Sequence, residues 1–164
     1  MIKNRVIIRV DDRLIHGQVI EGWVKYLKIK KICIVNDRIA SDPLQKMIYE
    51  SIIPSDCRLE VYTFDDFLKN FKCIVDNGKI LILFESVSEL YMLKDMLPDE
   101  YYLNIGCVAS RVHKIEITDT VFLTIDEIRM LNELRQKHNL HIKKLPWETA
   151  VEIKNFLQFL DSKE

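Results

Sequence analysis

The residues best suited to chemistry lie in one short stretch near the start of the chain, residues 9–19, which read Arg-Val-Asp-Asp-Arg-Leu-Ile-His-Gly-Gln-Val. His16 carries an imidazole that can act as a neutral nucleophile near neutral pH. Arg13 supplies a positive charge for an anionic partner, and Asp11 could orient either that arginine or the ring. This combination predicts phosphoryl transfer, with His16 accepting a phosphoryl group and passing it on.

The segments on either side predict where this stretch lies in the fold. Residues 5–10 are mainly apolar and β-branched, which is typical of a buried strand. Apolar residues then recur at helical spacing, at Val19, Ile20, Trp23, Val24 and Leu27. A turn between a strand and a helix of an open α/β sheet lies at the carboxyl ends of the strands, where ligands bind. If His16 and Gly17 open the helix, its free N–H groups and dipole favour an arriving phosphoryl group and a neutral ring.

The stretch resembles the active-site signature of the IIB components of the mannose/fructose/sorbose family of the bacterial phosphoenolpyruvate-dependent sugar phosphotransferase system (PTS). Residues 9–19 match that pattern at every position. The resemblance continues through Asn36-Asp37, Leu83-Phe84 and Leu103–Gly106, and it covers essentially the whole chain. It implies the family's open, largely parallel α/β sheet and a phosphohistidine at His16, formed on the ring atom Nδ1.

The resemblance also implies a two-step relay. A phosphorylated IIA domain, on the same or a separate chain, donates to His16, which passes the group to a sugar held by the membrane subunits IIC and IID. We expect Arg13 to neutralise phosphoryl oxygens, with Arg9 a weaker candidate, and Asp11 to hold Arg13 or the ring. No metal or organic cofactor is expected. The remaining candidates for binding or supporting the phosphoryl group are Arg9, Asp12, Gly17, Gln18, Asn36, Asp37 and Ser86.

Two other functions fit part of the same pattern. A chain with this motif could be a regulatory module of an incomplete phosphotransferase system, phosphorylated without serving a permease of its own. Asp11 and Asp12 at a strand end would also suit a receiver-like domain phosphorylated on a carboxylate, but no matching lysine ends the fifth predicted strand. Ser86 has two roles open to it as well, since its hydroxyl could bind phosphate or cap the helix that follows.

Composition narrows the class of protein. The chain has 164 residues, which is most simply one domain over residues 1–164, and its formal net charge of −1 gives no indication of nucleic-acid binding. The four cysteines include no C-x-x-C pair, so a zinc site is not predicted. The longest apolar run, Ile80–Phe84, is far too short to span a bilayer. We therefore expect a soluble, cytoplasmic protein that reaches the membrane by docking onto other subunits, and the sequence leaves its oligomeric state open.

Strands and helices alternate through most of the chain. This predicts an α/β fold with an open, mostly parallel, twisted sheet of about seven strands, helices on both faces and the active-site loop after the first strand. Three strand ends could lie beside His16: Asn36-Asp37, Glu85-Ser86, and Asn104 with Gly106. The helix that starts at Asp42-Pro43 is predicted to bury Leu44, Met47, Ile48 and Ile52. A terminal helix is predicted to open at Pro146 and Trp147 and to use Ile153, Phe156, Leu157 and Leu160.

Overall fold

A computed structural model describes residues 2–76, 78–98 and 100–161. Its centre is a six-stranded parallel sheet in the order β3-β2-β4-β1-β5-β8. The strands are β1 (Val6–Asp11), β2 (Lys31–Val35), β3 (Arg58–Tyr62), β4 (Ile80–Phe84), β5 (Tyr101–Cys107) and β8 (Leu140–Ile142). Because β1 lies between β4 and β5, the loop that follows β1 opens in the middle of the carboxyl edge of the sheet.

The predicted α/β fold with an open, mostly parallel sheet is confirmed, but the sheet has six strands rather than about seven. The two strands β6 (Ile115–Thr118) and β7 (Val121–Leu123) form a separate antiparallel hairpin. Only two residues connect them, and such a short turn permits antiparallel pairing alone, whereas each parallel strand of the sheet requires a longer crossover.

Helices cover both faces of the sheet, as predicted. They span Gln18–Lys25, Asp37–Ala40, Pro43–Ile52, Phe64–Val75, Val87–Tyr91, Ile125–Lys137 and Gln158–Asp161. The first of them is wound as a π-helix and buries Trp23 against the face of β1 that carries Ile7. Phe67, Leu90 and Leu131 come from three of the helices on the opposite face, where they pack on the alternate strand residues. Among the described residues, no helix has the length and apolar character needed to cross a bilayer.

The helix Pro43–Ile52 begins as predicted, because the Asp42 carboxylate accepts the N–H of Gln45 at 3.0 Å and proline occupies the first turn. Its predicted buried stripe is wrong. The exposed fractions of Leu44, Met47, Ile48 and Ile52 are 67%, 65%, 47% and 46%, and Tyr49 is the buried residue instead. Helical spacing identifies an apolar face, but it does not say whether the same chain covers that face.

The predicted terminal helix at Pro146 and Trp147 is also wrong: of the residues described from 146 to 161, only Gln158–Asp161 are helical. Ile153 and Phe156 are buried as expected. The backbone of this segment, however, makes its hydrogen bonds with other parts of the chain. Val151 donates its N–H to the Ile142 carbonyl at 2.8 Å, and Phe156 donates its N–H to the Asn132 side chain at 3.1 Å. Tertiary hydrogen bonds therefore replace the helical ones.

Candidate active site

The loop between β1 and the first helix is a tight turn fixed by backbone hydrogen bonds. The N–H of Asp12 donates to the Cys107 carbonyl on β5 at 3.0 Å, and the N–H of Leu14 donates to the Asp11 carbonyl at 2.9 Å. Leu14 has a φ of 55°, which side-chain-bearing residues rarely adopt, and its side chain is buried. Burial of Leu14 offsets the backbone strain and anchors the turn, which carries His16 at the carboxyl edge of the sheet.

Asp11 holds the ring of His16 in a defined orientation. Its Oδ2 lies 3.0 Å from Nε2 of His16, and its side chain is fully buried while that of His16 is 15% exposed. An ionised carboxylate can only accept, so a neutral His16 ring has its proton on Nε2 and its lone pair on Nδ1. The ring is therefore held as the tautomer in which Nδ1 can act as the nucleophile.

Arg9 lies behind Asp11 and is fully buried. Its Nη2 donates to Oδ2 of Asp11 at 2.8 Å, and its Nη1 donates to Oδ1 of Asn104 at 2.5 Å and to the Lys143 carbonyl at 3.2 Å. The guanidinium carbon lies 4.8 Å from the centre of the Trp23 ring. The structure corrects the expectation that Arg9 touches phosphoryl oxygens, because a guanidinium enclosed in this way supports Asp11 instead.

The charges of this buried pair depend on each other. Burial raises the pKa of Asp11, but the hydrogen bond with His16 and the charge of Arg9 outweigh burial and hold that pKa below its usual value. Burial lowers the pKa of Arg9, and the carboxylate of Asp11 opposes the change. Asp11 is consequently an anion at neutral pH. Its enclosure also argues against phosphorylation of Asp11 in the receiver-like alternative, since a phosphoryl donor could not reach this carboxylate.

Arg13 is the exposed cation of the loop, with 53% of its side chain accessible. Its backbone N–H donates to Oδ1 of Asp11 at 3.2 Å, and its Nε lies 4.0 Å from the same atom. Nη2 donates to Oε1 of Gln18 at 3.1 Å and contacts Sγ of Cys107 at 3.8 Å. Asp11 thus has both roles that the sequence left open, with one oxygen towards the ring and the other towards Arg13. Arg13 and Gln18 border an open cleft of about 490 Å³.

Asp12, Asn36 and Asp37 each use a side-chain oxygen to fix a nearby backbone N–H group. The bonds join Asp12 to Ala109 (2.8 Å), Asn36 to Ile39 (3.0 Å) and Asp37 to Phe64 (2.7 Å). The Asn36 amide also donates to Glu85 at 2.5 Å. The Asp12 and Asp37 carboxylates cannot donate to a phosphoryl oxygen, and the Asn36 amide already donates to Glu85. In this structure the three residues shape the rim of the sheet edge, which is the supporting part of what was expected of them.

Ser86 caps a helix, whereas Gly17 leaves the start of the first helix open. The Ser86 hydroxyl accepts the N–H of Glu89 at 3.3 Å, and the Glu89 carboxylate accepts the N–H of Ser86 at 3.1 Å, which is a complete capping box. Of its two possible roles, the cap is the one that the structure shows. At Gly17 an added Cβ would meet nothing within 4 Å, so this start of the first helix is open to an approaching anion.

The sequence predicted no role for the residues behind Arg9. Asn104 and Gly106 were placed only at the sheet edge, and Trp23 only in an apolar stripe. Asn104 is a polar residue in a mainly apolar strand, and the structure buries it fully. A polar residue at such a position was the one sign in the local sequence that a hydrogen-bonding partner lies nearby.

Comparison with known proteins gives this geometry its context. The family described as "PTS system sorbose subfamily IIB component" matches residues 5–164. The chain belongs to this family. Sorbose-subfamily IIB components are phosphotransferases that carry a phosphoryl group in sugar uptake by the PTS.

Individual IIB relatives match over most of the chain. The PTS system fructose-specific EIIB component of Bacillus subtilis (strain 168) is 29% identical over 159 residues, which are 96% of each protein. The PTS system mannose-specific EIIAB component of Escherichia coli (strain K12) is 23% identical over 93% of this chain and 48% of its own length. The crystal structure of manxB from Thermoanaerobacter tengcongensis is 29% identical, with a TM-score of 0.78 over 93% of this chain and 94% of that one. The fold of this IIB component is therefore that of solved IIB structures.

Proposed function

We propose that His16 is the phosphoryl carrier of this IIB component. In the first step the Nδ1 lone pair of His16 attacks the phosphorus of a phosphohistidine on a IIA domain. A bond between Nδ1 and phosphorus forms as the bond to the donor imidazole breaks, and the electron pair leaves with the donor ring. One observation carries the proposal: Asp11 meets the ring at Nε2, so Nδ1 keeps its lone pair.

The carboxylate of Asp11 also suits the charge that this step creates. The ring keeps its proton on Nε2 while Nδ1 bonds to phosphorus, so the ring becomes positive, and Oδ2 of Asp11 already lies 3.0 Å from Nε2. A positively charged ring is in turn a good leaving group for the second step. A sugar hydroxyl then attacks phosphorus, the bond to Nδ1 breaks, the hydroxyl proton leaves to solvent, and His16 returns to its neutral state.

The phosphoryl oxygens need positive charge but little covalent assistance, because transfer between nitrogen atoms depends mainly on position and electrostatics. Arg13 is the exposed cation of the His16 loop: its side chain is half exposed, and its backbone N–H is bonded to Oδ1 of Asp11, whose Oδ2 meets the ring. Gln18 holds the Arg13 guanidinium at 3.1 Å. The open start of the helix at Gly17 adds backbone N–H groups that an anion can approach.

The partners follow from the same relay. We propose that a IIA domain donates and that membrane IIC and IID subunits hold the sugar, with this chain acting on the cytoplasmic side. The mannose-specific relative, whose name joins A and B components and whose length is about twice the matched part, supports IIA as the donor.

The test is phosphoryl labelling from phosphoenolpyruvate through the general phosphotransferase proteins and a family IIA, followed by mapping of the labelled residue. We expect one acid-labile, hydroxylamine-resistant label on His16 and none in His16→Ala. His113→Asn is the matched control, because His113 is an exposed histidine in a left-handed loop position that asparagine also tolerates. Label retained by His16→Ala, or cleaved by hydroxylamine as an acyl phosphate would be, contradicts the proposal.

A further inference from the structure

Behind Asp11, the buried hydrogen bonds continue to residues that the phosphoryl relay does not touch. Asn104 lies opposite Arg9 in the register of β1 and β5 and is fully buried. Its Oδ1 accepts from Nη1 of Arg9 at 2.5 Å, while its Nδ2 donates to the carbonyls of His141 at 3.2 Å and Lys143 at 3.1 Å. Both ends of the amide are therefore used, and this fixes which end faces the guanidinium.

Gly106 provides the space that the guanidinium occupies. A Cβ built on Gly106 would lie 1.9 Å from Cζ of Arg9 and 2.1 Å from each of its Nη atoms. The backbone does not require glycine here, since Gly78 is the glycine with a positive φ among the described residues. The absence of a side chain at Gly106 thus serves Arg9 and not the turn of the chain.

Arg9 is held at the tip of its side chain. Nε of Arg9 is buried without a hydrogen-bond partner among the described residues. The two Nη atoms make the contacts with Asp11, Asn104 and the Lys143 carbonyl, and the Trp23 ring lies beside the guanidinium. Because Nη2 bonds to the same Oδ2 atom that meets Nε2 of His16, a displaced guanidinium displaces the carboxylate as well.

We propose that Asn104 and Gly106 are positioning residues for His16, acting through Arg9 and Asp11. Asn104 fixes Nη1, Gly106 leaves room for the guanidinium, Arg9 then fixes Oδ2 of Asp11, and Oδ2 selects the ring tautomer with its proton on Nε2. Neither positioning residue touches the phosphoryl group. The inference rests on the proposed role of His16 as carrier.

The first experiment compares Asn104→Ala with Asn132→Ala. Asn132 is a matched control because its side chain also forms a hydrogen bond with distant backbone, accepting the N–H of Phe156 at 3.1 Å. It lies on the helix Ile125–Lys137, which packs on the other face of the sheet. Three quantities are measured: the rate of phosphoryl transfer from the phosphorylated IIA half of the Escherichia coli mannose EIIAB protein, the KM for that donor, and the His16 tautomer by nitrogen-15 NMR.

For Asn104→Ala we expect transfer to fall roughly 10- to 100-fold, because a small misplacement of a reacting group is enough for such a loss. The KM for phospho-IIA should stay at the wild-type value, since the exposed surface is unchanged. The share of the ring protonated on Nε2 should fall in the same variant. Asn132→Ala should match the wild type in all three quantities.

Gly106→Ala keeps both bonds from Asn104 to the backbone carbonyls and displaces only the guanidinium, so it tests the same chain of contacts if Asn104→Ala does not fold. We expect the same loss of transfer and the same change of tautomer. A folded Asn104→Ala or Gly106→Ala with wild-type tautomer overturns the proposal, as does an equal loss in Asn132→Ala or failure of both variants to fold. The tautomer is measured without any phosphoryl donor. If the wild-type protein took up no label on His16, the proposed function would be contradicted, but the measured effect of the variants on the tautomer would still stand.

Discussion

The carboxylate of Asp11 meets the His16 ring at Nε2, with Oδ2 3.0 Å away. The Asp11 side chain is fully buried, and the same Oδ2 lies 2.8 Å from the equally buried guanidinium of Arg9. A partner lost from such an enclosed anion leaves a buried charge without compensation. The orientation of the ring and the stability of this part of the sheet therefore depend on the same charge.

Replacing Asp11 by asparagine keeps the shape and removes that charge. Arg9 would remain buried without its anion, and breaking a buried pair in this way costs about 3–5 kcal/mol. We expect Asp11→Asn to lower the free energy of unfolding in urea by this amount and to slow phosphoryl transfer. Asp56→Asn is the control, because it removes an exposed carboxylate paired with Lys30 and should change stability far less. Equal effects of the two substitutions would contradict the assignment.

The low pKa of Asp11 predicts a dependence of stability on acid. A carboxyl group with a lower pKa in the folded state stabilises the fold above the unfolded-state pKa, about 4, and loses that contribution as the pH falls through the folded-state pKa. The difference in unfolding free energy between wild type and Asp11→Asn should therefore be present above about pH 5 and shrink below about pH 4. Urea denaturation across this range measures the difference. A gap that persists unchanged at pH 3 argues against an ionised Asp11.

Arg13 should matter for transfer and little for stability. Its side chain is half exposed, so Arg13→Ala loses few buried contacts. Removing one group that stabilises developing negative charge typically slows a reaction by about 10²- to 10³-fold, and we expect a loss of this order. Arg13→Lys should recover part of the rate, since lysine restores the charge without the planar fork. Arg129→Ala, which removes another exposed arginine paired with Asp126, is the control and should transfer at the wild-type rate.

In contrast to Arg13, Ser86 should matter for stability and little for phosphoryl transfer. Ser86→Ala and Thr124→Ala each remove the hydroxyl of a complete capping box, and each should cost about 1 kcal/mol of stability. Thermal or urea denaturation measures this cost. Both variants should carry phosphoryl groups at the wild-type rate. A much slower Ser86→Ala, with Thr124→Ala normal, would return Ser86 to the phosphoryl site.

Much of the architecture could be predicted because it depends on local patterns. Alternating strands and helices gave the α/β class, and the capping signal at Ser86 marked a helix start that the structure contains. One buried face and one whole helix were predicted wrongly, each for its own reason. The periodicity of Leu44 to Ile52 identified an apolar face without saying what covers it. After Pro146, Ile153 and Phe156 are buried in a segment that is not helical, while Trp147 and Leu157 are exposed.

The sequence by itself determined that His16 follows the first strand and opens a helix, since the strand, the turn and the helix are encoded within about twenty consecutive residues. Only the tertiary structure decided what Arg9 does. Its partners Asn104 and Lys143 lie 95 and 134 positions away along the chain, and they meet Arg9 because β5 and the segment after β8 lie on one side of β1. Arg9 was a candidate ligand for phosphate, but because it is buried among those partners it supports Asp11 instead. No local sequence pattern indicates this.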